Sequence, residues 1–246
     1  LTDSPYYSDF PLITIKDQVQ AHKGLAKALD IHQIFIGIGG SMGGQQMVQW
    51  AVDEPTRFVH LVLLATNARH SPWGIAFNET QRMAIESDCT WGENHADAGK
   101  KGMEAARAIA MLSYRHPEDF ALKQSDTDEK LDNFRISSYL RYQGQKLGNR
   151  FNAFSYWALS KAMDSHDLGR GRGGTEKVLQ QIPSKVLAIG VDRDLLFLKE
   201  ESQFISRHVP KGTYREIQSP YGHDAFLIEY GQLQYILQGF YLENNG

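Results

Sequence analysis

Three residue types that together make a covalent catalyst occur in this chain in an order that a strand-and-helix protein can exploit. Ser41 stands in Gly39-Gly40-Ser41-Met42-Gly43. This is a G-x-S-x-G turn, whose small neighbours let a serine project from a sharp bend between a strand and a helix. Free N–H groups at the start of that helix favour negative charge, and the N–H of Met42 is placed to donate to an oxyanion. His223 follows much later in Ser219-Pro220-Tyr221-Gly222-His223-Asp224, after two acids in Val191-Asp192-Arg193-Asp194-Leu195. Serine, then acid, then histidine is the chain order of a nucleophile elbow served by loops after late strands. In such a set His223 takes the serine proton and later returns it, while a carboxylate holds the other ring nitrogen in the right tautomer. Spacing alone does not choose between Asp192 and Asp194. The chemistry implied is acyl transfer through a serine ester.

The same letters have blander meanings. A glycine-rich strand–helix connection can be packed closely for structural reasons, and a histidine near a helix start is commonly a cap. His60, His95, His116, His166 and His208 are read in that way, since no strand–loop–helix order singles them out as it does His223. A dinucleotide fingerprint counted from Gly37 and Gly39 would need glycine at 42, where Met42 stands, and no G-x-x-x-x-G-K-[ST] occurs. No H-E-x-x-H or clustered Cys/His spacing points to a metal.

Elements must hold these residues. Thr14-Ile15-Lys16-Asp17 has capping-box spacing, and Ile15, Val19, Leu25 and Leu29 follow at helical intervals, giving an amphipathic helix over 14–29. Residues 33–38 and 58–65 read as buried parallel strands, with a helix over 42–52 whose Met47, Val48 and Ala51 share a face. Strand, helix, strand is a βαβ unit and implies a parallel sheet. Between about 72 and 182 helical patterns take over, at 76–87, 100–114 and 132–163, without a convincing buried strand. The alternation then resumes: strand 185–190, helix 199–208, strand 213–217 and a closing helix over 224–241. The fold class is therefore α/β, an α/β-hydrolase fold with a mostly parallel sheet. Residues 1–71 and 183–246 form the core, and 72–182 are inserted as a helical lid over the strand ends.

Bulk properties narrow the partners. A net charge of −3 over 246 residues gives no electrostatic reason for nucleic acid or an anionic membrane. No apolar run approaches bilayer length. The single cysteine, Cys89, rules out an internal disulfide and suits a reducing, cytoplasmic setting. The chain opens Leu1-Thr2-Asp3-Ser4-Pro5, without an initiator Met or a signal-peptide pattern, and reads as a processed chain or a fragment.

Beyond the turn itself, longer stretches resemble one family. They are Ser8-Asp9-Phe10-Pro11 with Thr14-Ile15, Gly39-Gly40-Ser41-Met42-Gly43-Gly44, Ala76-Phe77-Asn78-Glu79, and Ser138-Tyr139-Leu140-Arg141-Tyr142-Gln143-Gly144. Ala162-Met163-Asp164, Asp167-Leu168-Gly169-Arg170-Gly171, Asp194-Leu195-Leu196-Phe197 and Ser219-Pro220-Tyr221-Gly222-His223-Asp224-Ala225-Phe226-Leu227 continue the series. In this order they resemble the homoserine O-acyltransferases of the MetX type. The resemblance implies transfer of an acetyl group from acetyl-CoA, or of a succinyl group from succinyl-CoA, to the hydroxyl of L-homoserine in methionine synthesis, with no bound cofactor. It implies Asp194 as the acid. It further implies that Arg107 holds the homoserine carboxylate, that Tyr114 lies beside it, that Asp224 holds the ammonium, and that lid helices pair in a homodimer.

The chain departs from the family's pattern at Asn152 and Phe154, where Asp and Asn are common, and these bear on lid packing or the dimer contact. The family's N-terminal portion, with the first sheet strands and the loop giving a second oxyanion N–H, has no counterpart in these residues. The expectations that compete are an esterase on the same triad, which needs no amino-acid clamp, and an inactive fragment.

Overall fold

The computed structural model describes residues 4–245. Helix α1 (Ile15–Ala28) opens at Thr14, whose hydroxyl accepts from the Asp17 N–H while the Asp17 carboxylate accepts from the Thr14 N–H, the reciprocal capping box read from the sequence. Its buried stripe is Ile15, Val19 and Ala26; Leu25 and Leu29, assigned to that stripe from their spacing, are exposed. Strand β1 (Ile34–Gly40), helix α2 (Met42–Asp53) and strand β2 (Phe58–Leu64) form the first βαβ unit.

A helical block follows before the sheet resumes: α3 (Pro72–Glu86), α4 (Lys100–Tyr114), α5 (Pro117–Gln124), α6 (Arg135–Gly148), α7 (Ala153–Asp164) and the short α8 (Thr175–Leu179). Pattern-reading over 132–163 gave one helix, and the structure has two. Asn152 breaks them: its backbone is extended and its side chain accepts from the Ser155 N–H, so it caps α7 instead of continuing α6. Phe154, the other departure from the family's pattern, is buried against Trp91 and Tyr7 at ring distances of 5.0 and 5.4 Å. Asn152 thus caps a helix of the block, and Phe154 packs that block against the N-terminal segment bearing Tyr7. Helix α5 was not foreseen; Pro117 sits in its first turn, where a missing N–H costs nothing, and the His116 ring accepts from the Glu118 N–H.

Strand β3 (Lys185–Val191), helix α9 (Lys199–His208), strand β4 (Gly212–Ile217), a 3-10 turn (Gly222–Leu227) and helix α10 (Tyr230–Asn245) complete the chain. The closing helix thus begins later than its apolar pattern suggested, because the 3-10 turn carrying His223 comes first.

The four strands are all parallel and lie in the order β1-β2-β3-β4. Alternation along β2 divides the core. Leu61 and Leu63 face a cluster with Val19, Val48, Trp50 and Ile205, while Val62 and Leu64 face Leu187, Ile189, Ile217 and Phe240. Helices α1, α2 and α9 thus cover one face and α10 the other, each buried aliphatic side chain contributing roughly 1.5–3 kcal/mol.

Strand β1 differs from the buried strand the sequence suggested. Phe35, Ile36 and Ile38 are 52%, 39% and 52% exposed, and among the described residues no strand pairs with its outer edge. An apolar groove beside it is lined by Phe35, Ile36, Ile38, Leu237 and Tyr241. No helix among the described residues is long and apolar enough to cross a membrane.

Candidate active site

The strand order puts every loop after a β-strand at one end of the sheet, which is where an open parallel sheet builds its sites. Ser41 lies between β1 and α2 with φ +54° and ψ −124°, a region that a non-glycine residue occupies only when its surroundings hold it there. The surroundings are explicit. The Ser41 N–H donates to Leu64 O at 2.9 Å, and the Thr66 hydroxyl donates to Ser41 O at 2.8 Å. A Cβ at Gly39 would come within 2.3 Å of Gly43 O, so only glycine lets the chain double back this tightly. At Gly40 a Cβ would meet the Phe226 ring at 2.5 Å, which ties the turn to the loop bearing His223.

His223 is buried and joins the three elements. Its Nε2 lies 3.0 Å from Ser41 Oγ, and its Nδ1 lies 2.6 Å from Asp194 Oδ2. The other Asp194 oxygen accepts from the N–H groups of Leu196 and Phe197, at 2.8 and 2.9 Å. Asp192, which spacing left level with Asp194, instead accepts from the Ser219 N–H at 2.9 Å and lies 3.5 Å from Arg193 Nε. These contacts fix the tautomer: Nδ1–H donates to Asp194, leaving Nε2 to accept from the serine hydroxyl. Burial disfavours the imidazolium, but the charge and hydrogen bond of Asp194, helped by Asp224, outweigh it. The His223 pKa therefore lies above the ordinary histidine value.

Ser41 and Met42 open into a cavity of about 410 Å³ roofed by the helical block, with Arg107, Tyr114, Arg150 and Tyr156 in its lining. The Met42 and Gly43 N–H groups begin α2 and so have no acceptor within the helix. The Arg107 guanidinium stands over the Tyr114 ring, 5.1 Å from its centroid, and no carboxylate lies in ion-pair range of it among the described residues. Its charge is free for a ligand. Burial raises the Tyr114 pKa, with Arg107 opposing and Asp224 adding to the rise, so the phenol stays neutral.

Asp224 stands apart from these. It does not line the cavity, and its carboxylate lies 3.2 Å from Arg115 Nε. The structure thus brings Ser41, Met42, Asp194, His223, Arg107 and Tyr114 together, and turns Asp224 toward Arg115.

Other residues near the site carried no sequence signal. His70 is buried, accepts at Nδ1 from the Gln45 amide at 3.3 Å, and is held neutral by burial against the opposing charge of Asp164. A separate cavity of about 570 Å³ is bordered by Asn67, Arg69, Asp167 and Glu201 and contains none of the triad. Glu201 accepts there from the Asn67 amide, and burial raises its pKa to about 7. Nothing in residue spacing marks either position, because both depend on which chain segments meet. No group of three or more His, Cys, Asp or Glu that could hold a metal occurs among the described residues.

Known proteins resemble this chain over nearly its whole length. The family model described as alpha/beta hydrolase fold matches residues 2–230. The chain is 64% identical to a homoserine O-acetyltransferase of Cyclobacterium marinum, over 98% of this chain and 69% of that protein. It is 44% identical to a homoserine O-acetyltransferase of Thermus thermophilus, over 97% of this chain and 61% of that protein. Among solved structures, the homoserine O-acetyltransferase of Staphylococcus aureus superposes with a TM-score of 0.79 at 27% identity, covering 96% of this chain and 67% of that one. The chain thus spans between three-fifths and seven-tenths of the length of these relatives.

Proposed function

We propose a function from this premise: the chain belongs to the α/β-hydrolase fold family and, within it, to the homoserine O-acetyltransferases of the MetX type. The reaction is transfer of an acetyl group from acetyl-CoA to the hydroxyl of L-homoserine, through an acetyl ester on Ser41, as a step of methionine synthesis. The observation that carries it is the line Ser41 Oγ–His223 Nε2–His223 Nδ1–Asp194 Oδ2, at 3.0 and 2.6 Å, opening on a cavity with a free arginine.

The chemistry follows from that line. As Ser41 Oγ attacks the thioester carbon, His223 Nε2 takes its proton, and Asp194 stabilises the imidazolium without accepting the proton. The oxyanion forms beside the Met42 N–H, at the positive end of α2. The carbon–sulfur bond breaks and the proton passes from His223 to the departing thiolate, leaving acetyl-Ser41. Homoserine then occupies the same cavity with its carboxylate on Arg107, whose planar cation suits a carboxylate. Tyr114 lies against the bound acceptor. His223 removes the acceptor hydroxyl proton, the oxygen attacks the ester, and the proton returns to Ser41 Oγ. Cover by the helical block protects the ester from water.

Asp224 needs a movement to serve the acceptor's ammonium, since it must first part from Arg115. That contact favours a second reading, an esterase in which water is the acceptor and no ammonium is bound. Succinyl-CoA is the alternative donor. A homodimer through the helical block and a cytoplasmic setting belong to the same reading. The test is to incubate the full-length protein with acetyl-CoA or succinyl-CoA, with and without L-homoserine, and follow free thiol. Sustained thiol release only when homoserine is present supports the acyltransferase. Release at the same rate without homoserine favours the esterase.

A further inference from the structure

The triad accounts for how protons move but not for what keeps the imidazole ring aimed at Ser41. A histidine tethered at Nδ1 alone can swing about that bond and carry Nε2 away from the serine. The structure supplies a support at this point. Phe197 is 1% exposed, and its ring lies 5.2 Å from the His223 ring with only 24° between their planes. Its backbone N–H donates to Asp194 Oδ1 at 2.9 Å, so one residue holds the acid by its main chain and the base by its side chain. Behind Phe197 stands His70, its ring 5.6 Å away and tilted by 49°.

His70 is itself seated. Its Nδ1 accepts from Gln45 Nε2 at 3.3 Å, and a Cβ at Gly74 would strike its ring at 2.5 Å, so α3 closes on it with no room to spare. Gln45 is fully buried, also donates to Asn67 Oδ1 at 3.0 Å, and lies one turn along α2 from Ser41. The contacts therefore close a circuit: Ser41, its own helix, Gln45, His70, Phe197, His223 and back to Ser41 Oγ. The neutral state of His70 matters in that circuit, because a second cation there would oppose the imidazolium formed at each proton transfer.

We propose that Phe197 and His70 are positioning residues for the base, forming a pillar that stands on the nucleophile's helix and sets the distance from His223 Nε2 to Ser41 Oγ. This rests on the reading of Ser41, His223 and Asp194 as the reacting set, but not on the identity of donor or acceptor. Misplacement of a catalytic group by about 1 Å costs on the order of a hundredfold in rate. Neither Phe197 nor His70 lines the cavity itself, although His70 Nε2 lies 3.3 Å from the amide of Asn78, which does, so the loss of the Phe197 ring acts chiefly on the chemical step.

The test is pre-steady-state release of nitrophenolate from p-nitrophenyl acetate by the full-length protein. Phe197→Leu keeps most of the apolar volume and removes the ring; the acylation rate should fall roughly ten- to a hundredfold while the ester's binding constant, read from the concentration dependence of the burst rate, stays within about twofold. The downfield proton resonance of the His223–Asp194 bond should broaden in the same variant. His70→Ala should also slow acylation, and His70→Phe, which restores a ring behind Phe197, should recover most of the loss. A general loss of stability predicts neither that recovery nor an unchanged binding constant for the ester. Should Phe197→Leu fail to fold, the two His70 variants decide. Acylation within twofold of wild type in His70→Ala, or in folded Phe197→Leu, overturns the pillar and leaves the triad standing. A wild-type protein with no burst, indistinguishable from Ser41→Ala, overturns the triad itself and the pillar with it.

Discussion

Gly222 presses directly on the backbone of His116: a Cβ at 222 would lie 2.9 Å from the His116 nitrogen and 3.0 Å from the Arg115 carbonyl carbon. The residue just before the base is thus braced against the segment joining α4 to α5, inside the helical block. Gly222 also has φ +63°, which an L side chain adopts only under strain. Gly222→Ala is therefore expected to lose roughly 1–3 kcal/mol of stability and, by displacing His223, at least tenfold in acylation rate. Thermal melting beside nitrophenyl-ester kinetics checks both, and full activity would show that the brace does not position the base.

The raised His223 pKa fixes the direction of the pH–rate profile. The base must be neutral to accept the serine proton, so kcat/KM should climb with pH through a midpoint above the ordinary histidine value of 6.5. Asp224→Asn removes one of the charges that favour the imidazolium, and the acid limb should move to lower pH. An unchanged or upward shift would contradict the electrostatic account.

Glu201 gives an opposite test, on stability. Burial raises its folded pKa to about 7 from the ordinary glutamate value of 4.5, so the folded chain prefers the neutral acid. That preference is fully present below about pH 4.5 and is lost as pH rises toward 7, where a charge must be kept in the interior. Glu201→Gln retains an acceptor for the Asn67 amide and removes the titration. Its melting temperature should exceed that of wild type at pH 8 and match it at pH 4.5, as scanning calorimetry at the two pH values will show.

Arg107→Met keeps the length of the side chain over Tyr114 and deletes its charge. If Arg107 holds the acceptor carboxylate, KM for homoserine should rise at least tenfold, since hydrogen bonds to charged groups are worth about 1.5–3 kcal/mol. Turnover of p-nitrophenyl acetate, which has no carboxylate, should change by less than about threefold. Equal losses with both substrates would move Arg107 from binding into the chemistry.

Much of this arrangement was legible in the residues. A serine between glycines has one mechanical use between an apolar strand and a helix, and Ser41 has the φ and ψ that use demands. Strands β2 and β3 were legible because burial on both faces leaves apolar runs, and the capping box at Thr14 because its partners are three residues apart. The break between α6 and α7 escaped because apolar periodicity runs on across Asn152, while the cap that interrupts it depends on a single side chain. The exposure of β1 escaped because an apolar run does not tell a central strand from one at the edge of a sheet.

The sequence by itself determined the strands and most of the helices, the order of serine, acid and histidine, and the family, since all three are written in local pattern and in motif order. Spacing left Asp192 and Asp194 level and only the family resemblance favoured Asp194; the tertiary structure supplies the reason, because both follow β3 within three residues and differ in which way the loop turns them. It also turned Asp224 toward Arg115, left Arg107 unpaired over Tyr114, and set Phe197 and His70 behind the base. Each of these is a contact between segments far apart in the chain. No spacing along a sequence encodes such a contact, because it exists only once the sheet and the helical block have closed on one another.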